Sequence, residues 1–498
     1  MRIVLKLKEN DSSSATDILM NNWNYWLVYD NYLLTLRKIS EKHEMNRDAI
    51  DFETERTSVL FRKILIPTLL GCLSISAVTA IDGIFIGHGV GADGVAAVNI
   101  IVPIYQIVSG IGLMIGAGCS VVTSVHLSRQ NIKTARINIS QAIYFSTAIM
   151  LLLAAFVYSF PTLTAQYLGA SDTLMPQVLD YMMWIMPCFI MEMWSLIGLF
   201  IIRLDGSPRY AMWCNIIPSV ANAILDWLFI FPLGMGVKGA AIATALSISL
   251  GGIMALVYLL FFARTLHIVP LKVSRKSMML ACRNIGYQCK IGSSTLFGEL
   301  SLGVLVFIGN LVFMHFLSDA GVGAFGIACY YTPFFFMVGN AIAQSAQPII
   351  SYNYGVSRWK EIREIRHLLL LTSFIVGCIV AALFLLMPES LVALFVDTSS
   401  DAGRIAVNGF PYFATGVVFF IINVAVIGYY QSIENIRIAT TLVFLRGLVF
   451  LVPCFIFLPQ LLGENGIWLA MPLTEILTTA VIVLFSVWRN IKCRHITQ

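Results

Sequence analysis

The sequence predicts an all-α polytopic membrane protein in which twelve transmembrane helices form two six-helix lobes related by a pseudo-two-fold axis. Three observations carry this prediction: the composition, the spacing of the apolar stretches and an internal repeat. The 498-residue chain is 58% hydrophobic and 12% charged, with a mean hydropathy of +0.82. Soluble domains carry about 25% charged residues, so this composition is typical of a chain that is mostly membrane-embedded.

Twelve apolar stretches, which we number as spans 1 to 12, follow one another along the chain. At about 1.5 Å of rise per residue, each is long enough to cross about 30 Å of hydrocarbon as a helix. Most charged residues fall in the short segments between them. The predicted spans cover residues 60–87, 94–125, 137–160, 174–202, 208–231, 238–263, 285–315, 321–351, 367–387, 403–430, 438–459 and 465–488.

The basic residues are distributed unevenly between the two sides of the predicted bundle. Connections after even-numbered spans with the adjoining span ends, together with the C-terminus, carry nineteen Lys and Arg residues, whereas connections after odd-numbered spans with their adjoining span ends carry only Lys238 and Arg404. Membrane proteins concentrate basic loops on the cytoplasmic side. The pattern therefore predicts that both termini are cytoplasmic, and it supports an even number of spans.

The two halves of the chain repeat each other without gaps over a long window. Residues 94–136 align with residues 321–363 at an offset of 227, and GVKGAAIA at 236–243 lies over GENGIWLA at the same offset. Each half holds six spans, so both halves cross the membrane in the same orientation. Parallel repeats of this kind are related by an axis along the membrane normal, and the transport pathway lies between them.

The sequence divides into two lobes and three peripheral segments. We predict a cytoplasmic extension at 1–57, an N-lobe at 58–263, a basic inter-lobe linker at 264–284, a C-lobe at 285–490 and a cytoplasmic tail at 491–498. The aromatic patch at 23–36 in the extension is too short to span a bilayer, and it is either an interfacial helix or disordered. Met45 is a candidate for the true start of translation.

Several classes of function lack support in the sequence. The ten cysteines form no CxxC pair, and no HExxH or GxSxG motif is present, so we expect neither a metal site nor an enzyme. The net charge of +5 lies in loops on one side and calls for no nucleic-acid partner. The expected partners are membrane lipids and a small-molecule substrate, with no cofactor, and the chain is expected to be a monomer.

Ionisable residues inside spans cost roughly 3 kcal/mol or more, and each is therefore a functional candidate. They are Asp82 in span 1, Glu192 in span 4, Asp226 in span 5, Glu299 in span 7, Arg446 in span 11 and Glu475 in span 12. Glu299 lies near mid-membrane, where it suits a cationic substrate or a second ion, or bonds within the lobe core. Arg446 and Glu475 predict a buried structural ion pair, with gating as the alternative. The sequence assigns no role to Glu192.

Counting residues from the span ends places Asp82, Asp226 and Thr244 at one level, roughly 9 Å below the outer surface. Asn222 lies one helical turn from Asp226 on the same face, and Tyr181 lies at a similar depth on span 4. Two carboxylates that share a desolvated site cannot both ionise comfortably, so the pair can take a proton or hold Na⁺. The alternative for Asp82 is a bond to a broken helix end near Gly83.

Five motifs in order resemble those of the multidrug and toxic compound extrusion (MATE) transporters, and the pattern is most similar to the bacterial branch of DNA-damage-inducible and staphylococcal multidrug exporters. They are IDGIFIGHGVG from Ile81, RLDGSPRY from Arg203, NAILDWLFIF from Asn222, GVKGAAIAT from Gly236 and QPIISYNYG from Gln347. The resemblance covers about residues 58–490.

This resemblance implies an antiporter of the bacterial plasma membrane that exports organic cations in exchange for H⁺ or Na⁺. It implies that Asp82, Asn222, Asp226, Thr244 and Tyr181 form the ion network of the N-lobe. It also implies that Pro67 is the bending proline of the first helix and that Glu299 is the acidic residue of the C-lobe. Span 10 carries Asn423 but no acid, which favours coupling through the N-lobe.

Two other classes of transport protein remain as alternatives. A flippase or an exporter of a lipid-linked or metabolite substrate in the same superfamily would have more spans and an Arg-rich cavity, whereas only Arg446 lies clearly inside a span here. A channel would not require the gap-free two-lobe repeat, which favours alternating access.

Overall fold

The structure, a computed structural model, describes residues 50–272 and 274–496, and this part of the chain is almost entirely helical. Eleven single helices and one bent pair are long and apolar enough to cross a membrane, which confirms the predicted fold class and count of twelve. The spans of the N-lobe are Thr57–Gly89, Ala92–Ser128, Ile132–Ser159, the pair Met175–Ile185 and Cys188–Leu204, Pro208–Ile230 and Gly236–Phe262. The spans of the C-lobe are Arg275–Ser318, Ala320–Gly355, Trp359–Leu386, Asp401–Ser432, Ile436–Leu462 and Glu464–Ile496.

Three features of the helices differ from the prediction. Span 7 begins at Arg275, so residues 275–284 of the predicted linker are helical and extend the span beyond its apolar part. Span 4 is not one straight helix, because its two halves meet at an angle of 51° around Pro187. Residues 491–496 of the predicted tail continue the helix of span 12. The aromatic patch at 23–36, Met45 and residues 497–498 lie outside the described residues.

The internal repeat is visible in the backbone as well as in the sequence. Short helices follow spans 3 and 9, and they begin at Pro161 and at Pro388, which are repeat partners at the offset of 227. The same offset relates Gly236, the first residue of span 6, to Gly463, the residue before span 12, and their φ angles are 59° and 60°. Glycine adopts this left-handed conformation without the cost that a side chain imposes. The two halves therefore repeat the backbone conformation of their turns as well as their hydrophobic pattern.

The two lobes meet along a seam that is closed at one end of the bundle. We call this end, where span 1 begins and the even-numbered spans finish, the terminal face. Gln347 on span 8 donates to the Ala117 carbonyl on span 2 at 3.0 Å, and Arg129 donates to the Gly355 carbonyl at 3.1 Å. Ser128 lies directly against Gly355, its repeat partner, so the pseudo-two-fold axis passes between them.

The segment that precedes span 1 lies across this seam. The Tyr352 hydroxyl of the C-lobe donates to Glu53 at 3.0 Å, and Gln130 of the N-lobe donates to the same carboxylate at 3.3 Å. Phe52 stacks on Tyr352 with ring centroids 5.6 Å apart. The segment therefore links the two lobes at the terminal face.

Spans 2 and 7 cross so closely that only glycine fits at the crossing. A methyl group on Gly292 of span 7 would overlap the Met114 carbonyl of span 2, and one on Gly118 would overlap the Gln288 carbonyl. Small residues let membrane helices approach in this way, and van der Waals packing then holds them together. The crossing fixes span 7 of the C-lobe against span 2 of the N-lobe.

We expect Gly292→Ala to destabilise the protein by about 1–3 kcal/mol, because the added methyl group forces the two backbones apart. Gly286→Ala is the matched control, since the same addition on the same helix meets open space. Thermal unfolding of the purified variants in detergent measures the difference. Equal unfolding temperatures for the two variants would show that spans 2 and 7 do not cross at Gly292.

Candidate functional site

Asp82 and Asp226 face each other between spans 1 and 5, with their carboxyl groups close enough to share a proton. Asp226 is 0% exposed. Both Asp226 oxygens and Oδ1 of Asp82 are buried, and within the described part of the chain no donor hydrogen-bonds to them. Two carboxylates have no proton to donate to each other. The pair is therefore stable only when it holds a proton or a cation.

Three further polar side chains lie on the spans that pack around the pair. Tyr181 of span 4 lies within electrostatic range of both carboxyl groups, and its hydroxyl lies beside Thr244 of span 6. Asn222 is buried one turn from Asp226 on span 5, with its amide nitrogen unpaired among the described residues. The structure thus brings together side chains from spans 1, 4, 5 and 6, as the depth count predicted. Their role in ion coupling stays a prediction.

Span 1 carries Asp82 on an uninterrupted helix. The helix runs from Thr57 to Gly89 with Pro67 inside it, so no broken end at Gly83 is available to Asp82. Proline removes one helix hydrogen bond, which makes Pro67 a point at which the helix can bend. Bending of span 1 at Pro67 stays a prediction from the sequence and from helix geometry.

An apolar groove of ≈ 440 Å³ lies on the surface between spans 1 and 5. Its lining includes Ile81, Ile224 and Trp227, and the last two are 59% and 53% exposed, so the groove opens to the outside of the bundle. Asp82 and Asp226 do not line it. The groove is therefore separate from the carboxyl pair, although its lining includes the chain neighbours of both aspartates.

Glu299 lies at the seam between the lobes rather than inside the C-lobe. Its side chain packs against the backbone of Gly110 on span 2, and its Oε1 is buried without a hydrogen-bond partner in the described chain. Ser301 does not bond to it, because that hydroxyl donates to the Phe297 carbonyl. The side chain therefore lies at the interface with the other lobe, and its role as a substrate or second ion site stays a prediction.

Arg446 and Glu475 form a buried ion pair in the C-lobe, with Nε and Oε1 2.6 Å apart. Asn423 of span 10 donates to Oε2 of Glu475 at 2.8 Å, and the Arg446 guanidinium lies 3.9 Å from the centre of the Phe420 ring. Every charged group of this cluster has a partner. The cluster ties spans 10, 11 and 12 together, which is the structural arrangement that the sequence predicts.

A second, smaller cavity lies at the seam, and Arg446 forms part of its wall together with Phe200, Phe336 and Gln347. Its volume of ≈ 40 Å³ holds water but no drug-sized molecule. The run of Phe334, Phe335 and Phe336 suggests an aromatic cavity wall, but Phe335 is packed among C-lobe aromatic rings and only Phe336 reaches the cavity. In the described residues, no cluster of three or more His, Cys, Asp or Glu side chains could hold a metal ion.

Glu192 has a defined environment that the sequence does not reveal. The Ser109 hydroxyl of span 2 donates to Glu192 Oε1 at 2.7 Å, across 83 residues of chain. The signal available in the sequence was the carboxylate itself, within a span. Its partner depends on how spans 2 and 4 are rotated about their axes, and apolar stretches do not fix that rotation.

Comparisons with known proteins agree with this architecture. The MatE family model matches residues 67–228 and residues 295–456, one match in each lobe. The multidrug export protein MepA of Staphylococcus aureus strain MSSA476 is 22% identical over 432 residues, covering 84% of this chain and 91% of that protein. MepA of Staphylococcus haemolyticus strain JCSC1435 is 23% identical over 434 residues, covering 85% of this chain and 91% of that protein.

A solved structure extends the similarity to the fold. A multidrug resistance MATE family transporter of the MOP superfamily, in an outward-facing conformation, superposes with a TM-score of 0.80. The two sequences are 19% identical, and the match covers 87% of this chain and 96% of that chain.

Proposed function

The chain belongs to the MatE family of multidrug efflux transporters, and we propose that it is an antiporter that exports organic cations in exchange for protons. The observation that carries the proposal is the contact between Asp82 and Asp226, which leaves both oxygens of the buried Asp226 and Oδ1 of Asp82 without a donor in the described chain. Members of this family are transporters rather than enzymes.

The geometry of the pair favours a proton over Na⁺ as the coupling ion. The two carboxyl groups are close enough for one to donate a hydrogen bond to the other, and that bond requires one proton for the pair. A Na⁺ ion would instead be coordinated by oxygen atoms of Asp82, Asp226, Asn222 and Thr244. Sodium is therefore the alternative that the experiment below distinguishes.

The substrate class is inferred from charge and from the relatives. The ionised carboxyl pair attracts a positive charge, and the similar MepA proteins are multidrug exporters. When the pair takes a proton, that attraction weakens and the cation leaves. Protonation and substrate binding thus compete for one site, which is the condition for exchange rather than co-transport.

The seam supports an assignment of the conformation. The basic loops support a cytoplasmic terminal face, and hydrogen bonds across the seam hold the two lobes together there. We therefore assign the structure to a state closed toward the cytoplasm of a bacterial plasma membrane. Rocking of one lobe against the other would open the terminal face to load the next substrate. A flippase is disfavoured because Arg446, which lines the seam cavity, is neutralised by Glu475.

The test measures transport of tetraphenylphosphonium in vesicles of the purified protein. We expect an imposed pH gradient to drive its movement and an imposed Na⁺ gradient at equal pH to leave it at the level of protein-free vesicles. Movement driven by Na⁺ alone would overturn the proton assignment. No movement under either gradient would overturn the proposal of ion-coupled antiport.

A further inference from the structure

Glu192 is a buried carboxyl group that the proposed site does not include. It is 5% exposed and lies in the second turn of the helix Cys188–Leu204, directly after the bend of span 4. Its Oε2 has no hydrogen-bond partner within the described residues. No Lys, Arg or His of the described chain pairs with it. A carboxylate in such a place needs a proton or a cation as compensation.

The groups that face Glu192 are hydroxyls and a thiol. Ser109 and Tyr105 reach its carboxyl group from span 2, and Cys188 lies within electrostatic range on its own helix. Hard metal ions such as Ca²⁺ and Mg²⁺ bind six or more ligands. The side chains that face Glu192 supply too few oxygen atoms for such an ion. A proton is the cation that this environment accommodates.

One hydroxyl group near Glu192 can serve as its partner for proton transfer. Tyr105 of span 2 lies beside the Glu192 carboxyl group and is itself 36% exposed. A hydroxyl can accept a proton on one side and release one on the other, so Tyr105 can pass a proton to the buried carboxyl group.

Glu192 also touches the helix that holds the lobes together. Its partner Ser109 precedes Gly110, the residue of span 2 against which Glu299 packs from the C-lobe. The charge on Glu192 therefore acts on span 2 close to the seam. A change of that charge therefore alters the electrostatic interactions of span 2 at the seam between the lobes.

We propose that Glu192 is a second proton-carrying carboxyl group of the exchange cycle, which receives its proton by way of the Tyr105 hydroxyl. The proton that binds Glu192 outside is released from it inside, so two protons enter for each cation exported, one at the aspartate pair and one at Glu192. This inference rests on the proposed proton-coupled function and specifies its stoichiometry.

The test is the limiting accumulation of tetraphenylphosphonium in vesicles at an imposed pH difference of one unit, with the membrane potential held at zero by potassium and valinomycin. Each coupled proton raises the limiting ratio roughly tenfold, so we expect roughly 100-fold for the native protein and roughly tenfold for Glu192→Gln. Glutamine retains an acceptor for the Ser109 hydroxyl. Ser109→Ala is the matched control, which removes the bond, keeps the carboxyl group and should keep the roughly 100-fold ratio.

Two results would overturn the proposal: an unchanged ratio in Glu192→Gln, or an equal fall in Ser109→Ala, which would assign Glu192 a structural role. If Glu192→Gln does not give a monodisperse protein, Glu192→Met carries the same expectation, since it replaces the carboxyl group by an apolar side chain of similar length. A native protein that builds no ratio at all would instead overturn the proposed function, so the two failures are distinguishable.

Discussion

Asp82→Asn is expected to abolish export, reducing tetraphenylphosphonium transport to the level of protein-free vesicles. Asparagine has nearly the same size as aspartate, but it neither ionises nor exchanges a proton. The Asp82–Asp226 pair would then lose the titration that couples proton entry to cation release. Transport in vesicles with an imposed pH gradient measures the effect, and tolerance of an expressing strain to the same cation reports it in cells.

The matched control for this prediction is Asp172→Asn, because Asp172 is an exposed carboxylate between spans 3 and 4 of the same lobe. We expect this variant to transport at the native rate. Membrane abundance and gel-filtration profiles should be the same for all three proteins, so that a loss of transport reports function and not folding. Native transport by a well-folded Asp82→Asn would contradict the assignment of the coupling site.

Arg446→Met is expected to cause the largest loss of stability, about 3–5 kcal/mol. The substitution leaves Glu475 buried at 3% exposure without its cation, and uncompensated buried charges are costly. It also removes the guanidinium from the face of the Phe420 ring. Thermal or denaturant unfolding of the purified protein in detergent measures the loss.

Two further variants separate the buried charge from other effects. Arg446→Met combined with Glu475→Met should recover much of the lost stability, since no unpaired charge remains. Arg404→Met breaks the exposed pair with Asp401 in the same lobe and should cost only about 0–1 kcal/mol. If Arg446→Met were no worse than Arg404→Met, the buried pair would not stabilise the C-lobe.

The spans and the level of the carboxyl pair were predictable because both depend on distance along a helix. The rise per residue is fixed, so counting from the span ends was enough to place Asp82, Asp226 and Thr244 together. The repeat was predictable for the same reason, since corresponding turns such as Gly236 and Gly463 recur at a constant offset.

Rotation and bending could not be predicted from the sequence. An apolar helix has no polar face to fix its rotation, so the bond from Ser109 to Glu192 and the inward packing of Phe335 became visible only in the structure. Proline permits the bend of span 4 at Pro187 but does not require it. The start of span 7 at Arg275 was missed because a helix can continue past the end of its apolar stretch.

Infrared difference spectroscopy of the purified protein on addition of tetraphenylphosphonium tests the central claim most directly, because it detects whether a carboxyl group loses its proton when the cation binds. We predict that the native protein loses a carboxyl C=O band. The band should be reduced in the Asp82→Asn, Asp226→Asn double variant and unchanged in Asp172→Asn. A full band in the double variant, or no band in a native protein that binds the cation, would contradict exchange of a proton for the cation at this pair.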